Sequence, residues 1–166
     1  APSAVPAEDR DRVLGTGWRT SEDRAWTTSG DGEGFHVLVA DAADGYAWRT
    51  LTTLAEQGFE TDRWVGNACR AGSGRTLAVT YAPRTFTNRP ELFERGAFTA
   101  LVDLDTGAVT KLDVLSTLAY YSPGCGVADA VLFTQVGDTR TRVLPVNAAT
   151  AAVGAPVVVD GQLTSA

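Results

Sequence analysis

Trp64-Val65-Gly66-Asn67-Ala68-Cys69 and Tyr120-Tyr121-Ser122-Pro123-Gly124-Cys125 are two matching segments, each opening on an aromatic residue and closing on one of the chain's two cysteines. Behind each cysteine come a turn, an apolar run and a hairpin. Gly72-Ser73-Gly74 is the turn of the earlier block, Thr76 to Tyr81 its apolar run, and Val131 to Gln135 the run of the later one. Runs that alternate over five to eight residues between glycine-rich turns have the period of strands. Strand blocks repeated at this spacing read as consecutive blades of a β-propeller.

Working outward, the block before Trp64 holds Arg24 to Thr28 as a strand, Gly30 to Gly34 as a turn and Phe35 to Val39 as a second strand. Asp44-Gly45 is a hairpin signal, and Tyr46 to Leu54 is a third strand region. This gives the block the same strand order as the later two. In the second block, Phe98 to Leu104 and Ala108 to Leu112 flank the turn Asp105-Thr106-Gly107. In the third, Arg142 to Val146 and Val153 to Val159 flank the small-residue turn 147–152. Three hairpins are alike in kind: Val37 to Leu54, Ala100 to Leu112, and Val143 to Val159. The one helix expected is about a turn at Pro90 to Arg95, with proline in the favoured first-turn position.

The expected organisation is a flexible lead-in over 1–12, then blades at 13–57, 58–115 and 116–160, with 161–166 starting a further one. The fold class is all-β: antiparallel propeller-like blades, about three of them. A propeller ring has about four or more blades, so the expectation is an incomplete ring completed by another segment or chain.

At 166 residues, 44% apolar and 20% charged, the chain has the composition of a folded protein with a sizeable core. A net charge of −6 without any basic run argues against a phosphate-binding role on nucleic acid. No stretch approaches 18 consecutive apolar residues, so no helical membrane span is expected. Lys111 is the one lysine among 14 basic residues, and methionine is absent. That bias is typical of a high-GC bacterial genome. The small-residue start Ala1 to Ala7 is what a signal-peptidase cut leaves, although a truncated product reads the same way. Export is the expectation.

The hairpin phrase Val102-Asp103-Leu104-Asp105-Thr106-Gly107-Ala108-Val109 resembles the outer hairpins of secreted bacterial propellers of the quinoprotein-like and YVTN-like kind. Trp64 to Cys69, Tyr81 to Asn88 and Ser122 to Gly126 resemble the N-terminal region of very large exported actinobacterial proteins, some of them carrying YD/RHS-type repeats. The resemblance implies architecture over most of 13–166. It brings no catalytic residues, because the matching phrases are turns and strands.

Candidate chemistry is sparse. Cys69 and Cys125, 56 residues apart, sit at equivalent positions of adjacent blocks, where neighbouring blades converge, so a disulfide is geometrically possible. Two free thiols are the alternative. Leu104-Asp105-Thr106-Gly107 matches the phrase of an aspartic protease, whose chemistry needs two such carboxylates. A single copy reads better as a turn. Asp103 with Asp105 reads as a solvated pair, and Asp31 to Gly34 has too few oxygens for a calcium loop. His36 is the sole histidine, so any Ser-His-Asp triad depends on it. Gly72-Ser73-Gly74 is not a nucleophile elbow. Trp18, Trp26, Trp48 and Trp64 are either a sugar-stacking surface or core.

The remaining feature is the long excursion from Pro83 to Gly96, carrying Arg84, Phe86, Asn88, Arg89, Phe93 and Arg95. Long loops on rigid scaffolds commonly bind, and contact with protein or with a ligand are both open. The expected function is therefore a non-catalytic scaffold or recognition module, part of a larger secreted protein. The expected partners are the remaining blades or a partner chain, and no cofactor or metal is expected. The alternatives are the propeller part of a secreted hydrolase or of an RHS-like delivery protein.

Overall fold

A computed structural model describes Ser3 and residues 5–163. Three antiparallel sheets follow one another along the chain. The first contains β1 (Arg24–Gly30), β2 (Phe35–Asp41) and β3 (Arg49–Leu54). The second contains β4 (Trp64–Arg70), β5 (Thr76–Pro83), β6 (Ala97–Asp103) and β7 (Val109–Ser116). The third contains β8 (Gly124–Cys125), β9 (Ala130–Val136), β10 (Arg140–Asn147) and β11 (Val157–Asp160). Each sheet is a meander in which sequence neighbours pair.

The second sheet lies between the other two, and alternation along its strands explains why. Leu77, Val79 and Tyr81 of β5, with Ala100 and Val102 of β6, join Phe35, Val37, Val39 and Leu54 of the first sheet in one core. The intervening Ala78 and Leu101 point the other way and join Val131, Phe133, Leu144 and Val146 of the third sheet. A strand with side chains of period two serves both cores at once. This is why β5 reads as a continuous apolar run and is buried from Leu77 to Pro83. The architecture is all-β and blade-like, with the second sheet packed face to face between the first and the third.

The turns fall on two rims. On one rim, Trp64 N–H donates to the Asp31 carbonyl in the β1–β2 turn, and Arg84 N–H after β5 donates to the Arg63 carbonyl. On the other, Leu104 N–H donates to the Arg75 carbonyl and Gly72 N–H to that of Ala128. Gly72 belongs there because a Cβ would stand 2.1 Å from the Val127 carbonyl oxygen. The turn after β6 is closed by Gly107 at φ +75°, a conformation that favours glycine.

This placement corrects the strand equivalence expected from sequence. The β1–β2 turn shares a rim with the β5–β6 connection, so β1 corresponds to β5 and not to β4. The likeness of the three hairpins holds, with β2–β3, β6–β7 and β10–β11 equivalent. Among the described residues the first sheet therefore has no counterpart of β4 and β8. The lead-in expected over 1–12 also differs: Ala7–Asp9 is a 3₁₀ turn and α1 spans Arg10–Leu14. Arg10 lies against Gly45, and Ser3 Oγ donates to the Gly45 carbonyl. The third strand region begins at Arg49 rather than Tyr46, because the chain first makes a 3₁₀ turn at Ala42–Asp44 and then left-handed Gly45 and Tyr46. β11 starts at Val157, while Val153 makes only an isolated bridge to Val146. The segment expected to open a further blade lies partly outside the described residues. Its described part, Gly161 to Leu163, hydrogen-bonds back to Thr139 and Thr141.

Candidate functional site

The excursion between β5 and β6 is built on an aromatic plug. It forms a 3₁₀ turn at Arg84–Asn88 and then α2 (Pro90–Arg95), which Pro90 starts and Gly96 ends by donating its N–H to the Leu92 and Phe93 carbonyls. Phe86 is buried, its ring 5.7 Å from Phe59 and 6.0 Å from Phe98. The Arg95 guanidinium lies 5.3–6.0 Å over the rings of Phe98, Phe86 and Phe59, a cation–π arrangement. Arg84 is ion-paired with Asp62. Asn88, Arg89 and Phe93 remain exposed. Of the six residues singled out in this segment, Phe86 is thus core, Arg84 and Arg95 are tied to neighbours, and three face solvent. Arg95 also lines a groove of about 460 Å³ with Gln135, Arg140, Arg142 and Val158 of the third sheet.

Cys69 and Cys125 are joined, with Cα atoms 5.8 Å apart, so the free-thiol alternative does not hold. The bond ties the first strand of the second sheet to that of the third. A disulfide suits an oxidising compartment.

The remaining sequence candidates resolve into structural roles. Asp103 Oδ1 accepts the N–H groups of Asp105 and Thr106 and the Thr106 hydroxyl. These bonds, led by those from Thr106, hold the Asp103 carboxyl below the usual range. Asp105 faces away, paired with Arg75 at 3.1 Å and Arg24 at 3.3 Å. Asp31 accepts from the His36 ring and from the N–H groups of Glu33 and Gly34, which lowers its pKa in that order. The His36 ring bridges Asp31, at 2.9 Å, and the Thr53 hydroxyl, at 2.9 Å, so an Asp-His-Thr line exists. It runs across the β1–β2–β3 surface, apart from the clefts lined by Arg24 and by Thr28. Trp18 and Trp64 are buried, and Trp26 packs against the first core, so these three form no sugar-stacking face. Among the described residues no group of three or more His, Cys, Asp or Glu side chains is placed to hold a metal.

A cleft of about 580 Å³ was not legible in the sequence. It lies between the first two sheets and is lined by Glu22, Asp23, Arg24, Asp41, Arg70 and Asp105, which come from distant parts of the chain. Burial pushes the Asp41 carboxyl up, but hydrogen bonds from Arg24 and Arg49 outweigh it and hold the group below its ordinary value. Arg24 also donates to the Leu104 carbonyl, which ties the two sheets together. Among the described residues, Glu22 and Asp23 make no ion pair.

No family model and no curated protein matches the chain. Solved structures do. The periplasmic gluconolactonase of Pseudomonas aeruginosa is 22% identical over 82% of this chain and 36% of its own, with a TM-score of 0.47. TolB of Acinetobacter baumannii is 10% identical over 86% of this chain and 41% of its own, with a TM-score of 0.38. The chain thus spans well under half the length of either protein. Neither likeness bears on activity or substrate.

Proposed function

We propose that the chain is a section of a larger exported β-propeller and serves as a scaffold or recognition module with no catalytic group of its own. The observation that carries this reading is the outward face of the third sheet. In the second sheet, Leu112 and Val114 of the outermost strand pack into the core shared with the third sheet. By register, Val157 and Val159 of β11 are their counterparts. Val157 is 56% exposed, and Val143, Pro145 and Leu132 beside it are only half-buried. This is a blade face of the same apolar alternation that no other sheet covers among the described residues, and a further sheet is its natural cover. The exposed part of the excursion, with Asn88, Arg89 and Phe93 between Arg84 and Arg95 and Phe86 beneath, is the recognition surface in this reading. The resemblance to N-terminal regions of large exported actinobacterial proteins belongs to the same proposal.

Sedimentation velocity tests the open face. The chain alone is expected to self-associate as concentration rises, and the double substitution Val157→Asp with Val159→Asp should return it to monomer. A wild-type chain that stays monomeric at all concentrations and binds no apolar dye would contradict the reading.

A further inference from the structure

Among the described residues the β1 edge of the first sheet has no partner strand, and the ladder defines what that edge accepts. Asp31 N–H donates to the Gly34 carbonyl, and Ala42 N–H donates to that of Asp23. With the β1–β2 register, the odd-numbered residues of β1 therefore bond to β2. The backbone groups of Arg24, Trp26, Thr28 and Gly30 point to the opposite edge. The Gly30 carbonyl accepts there from Arg63 Nε at 3.2 Å. The rest of this edge has no strand beside it among the described residues. The edge is seven residues long and carries neither proline nor a bulge, although exposed edges normally carry such protection. In the other two sheets the equivalent edge, on β5 and on β9, is covered by β4 and by β8. Among the described residues before β1, Arg10–Leu14 form α1 and Trp18–Thr20 a 3₁₀ turn, so neither stretch lies on this edge as a strand.

Two cavities lie along the edge. At the Gly30 end a cavity of about 320 Å³ is lined by Thr28, Phe35, Trp64 and Gly66. At the Arg24 end is the cleft of about 580 Å³, in which Glu22, Asp23, Asp41 and Asp105 face Arg24 and Arg70. Acidic groups outnumber basic ones there, and Arg24 already answers Asp41 and Asp105.

We propose that the β1 edge captures one extended segment of a partner polypeptide, running antiparallel to β1, with an apolar residue at the Gly30 end and a basic residue facing Glu22 and Asp23. Main-chain bonds supply the affinity, and the two cavities select the side chains. The pattern is that of β4 itself, which begins at Trp64 and ends at Arg70 along the same direction. This inference stands apart from the docking of the third sheet.

The test is residue-resolved amide exchange on the chain, with and without a synthetic peptide copying residues 62–72 and carrying Cys69→Ser. The Trp26 and Thr28 amides should exchange fast alone and become protected at saturating peptide. Thr28→Pro, which removes an edge N–H without breaking the ladder to β2, should weaken binding at least about tenfold. The same loss is expected from a peptide N-methylated at alternate residues, which leaves the chain's fold untouched. Glu22→Lys with Asp23→Lys should weaken binding and reduce its dependence on salt. Val157→Asp with Val159→Asp should leave peptide binding unchanged. Three results would overturn the proposal. The first is slow exchange of Trp26 and Thr28 without peptide, which means that the chain covers its own edge. The second is no protection of these amides at saturation. The third is a dimer abolished by Thr28→Pro, which assigns the edge to a second copy.

Discussion

Cys69, Phe86 and two carboxylates show how single side chains hold the sheets together. The disulfide closes a loop spanning 56 positions, for which chain entropy gives roughly 4 kcal/mol. Cys69→Ser with Cys125→Ser should lower stability by about that amount, read from urea midpoints, and the wild-type chain alone should gain the mass of two hydrogens under reductant. Phe86 fills the centre of the plug, and Phe86→Ala should cost about 3–5 kcal/mol, whereas the exposed Arg89→Ala should be near neutral. Asp41 and Asp103 have carboxyl pKa values held below the ordinary one. Their contribution is complete above the unfolded value of about 4 and is lost as pH falls through the lower folded values. Urea midpoints measured between neutral and strongly acid pH should therefore decline below about pH 4, and Asp103→Asn should flatten the decline. A midpoint independent of pH over this range would remove both carboxylates from the account. Tyr81 shows the opposite shift: burial, then its bond to Glu56, raises its phenol, so it stays neutral.

At the scale of elements, the sequence was most legible where chemistry is local. Asp-Thr-Gly marked the β6–β7 turn, apolar runs between turns marked β5 and β9, and Pro90 marked the start of α2. The disulfide was foreseeable because both cysteines end equivalent segments. The position of β1 was not legible. Alternation identifies a strand but carries no information about which rim its turn lies on, and the order within the first sheet is fixed by the contact of Asp31 with Trp64. The cleft at Glu22, Asp23, Asp41 and Asp105 was hidden for a related reason, since its members are assembled only by the packing of two sheets. The excursion was identified as a unit, yet its division into plug and exposed part depends on Phe59, which lies in a linker without any pattern of its own. Gly72 gives an element-level prediction. Gly72→Ala forces the β4–β5 turn away from Val127, so it should loosen the rim contact with the third sheet and speed amide exchange at Ala128 and Asp129.

At the scale of the molecule, three sheets form a graded stack. Among the described residues the second sheet shares a core on each of its faces, while the first and third each share one with it. A blade-like arc of this kind has stability that comes from nearest-neighbour interfaces, so local opening should begin at its outer members. Amide exchange across the whole chain, at a concentration low enough to keep it monomeric, tests this most directly. The account predicts that β5 and β6 exchange slowest and that β11 and the free edge of β1 exchange fastest. Equal protection of β11 and β5 would mean that the third sheet is already covered within this chain, which contradicts an open arc.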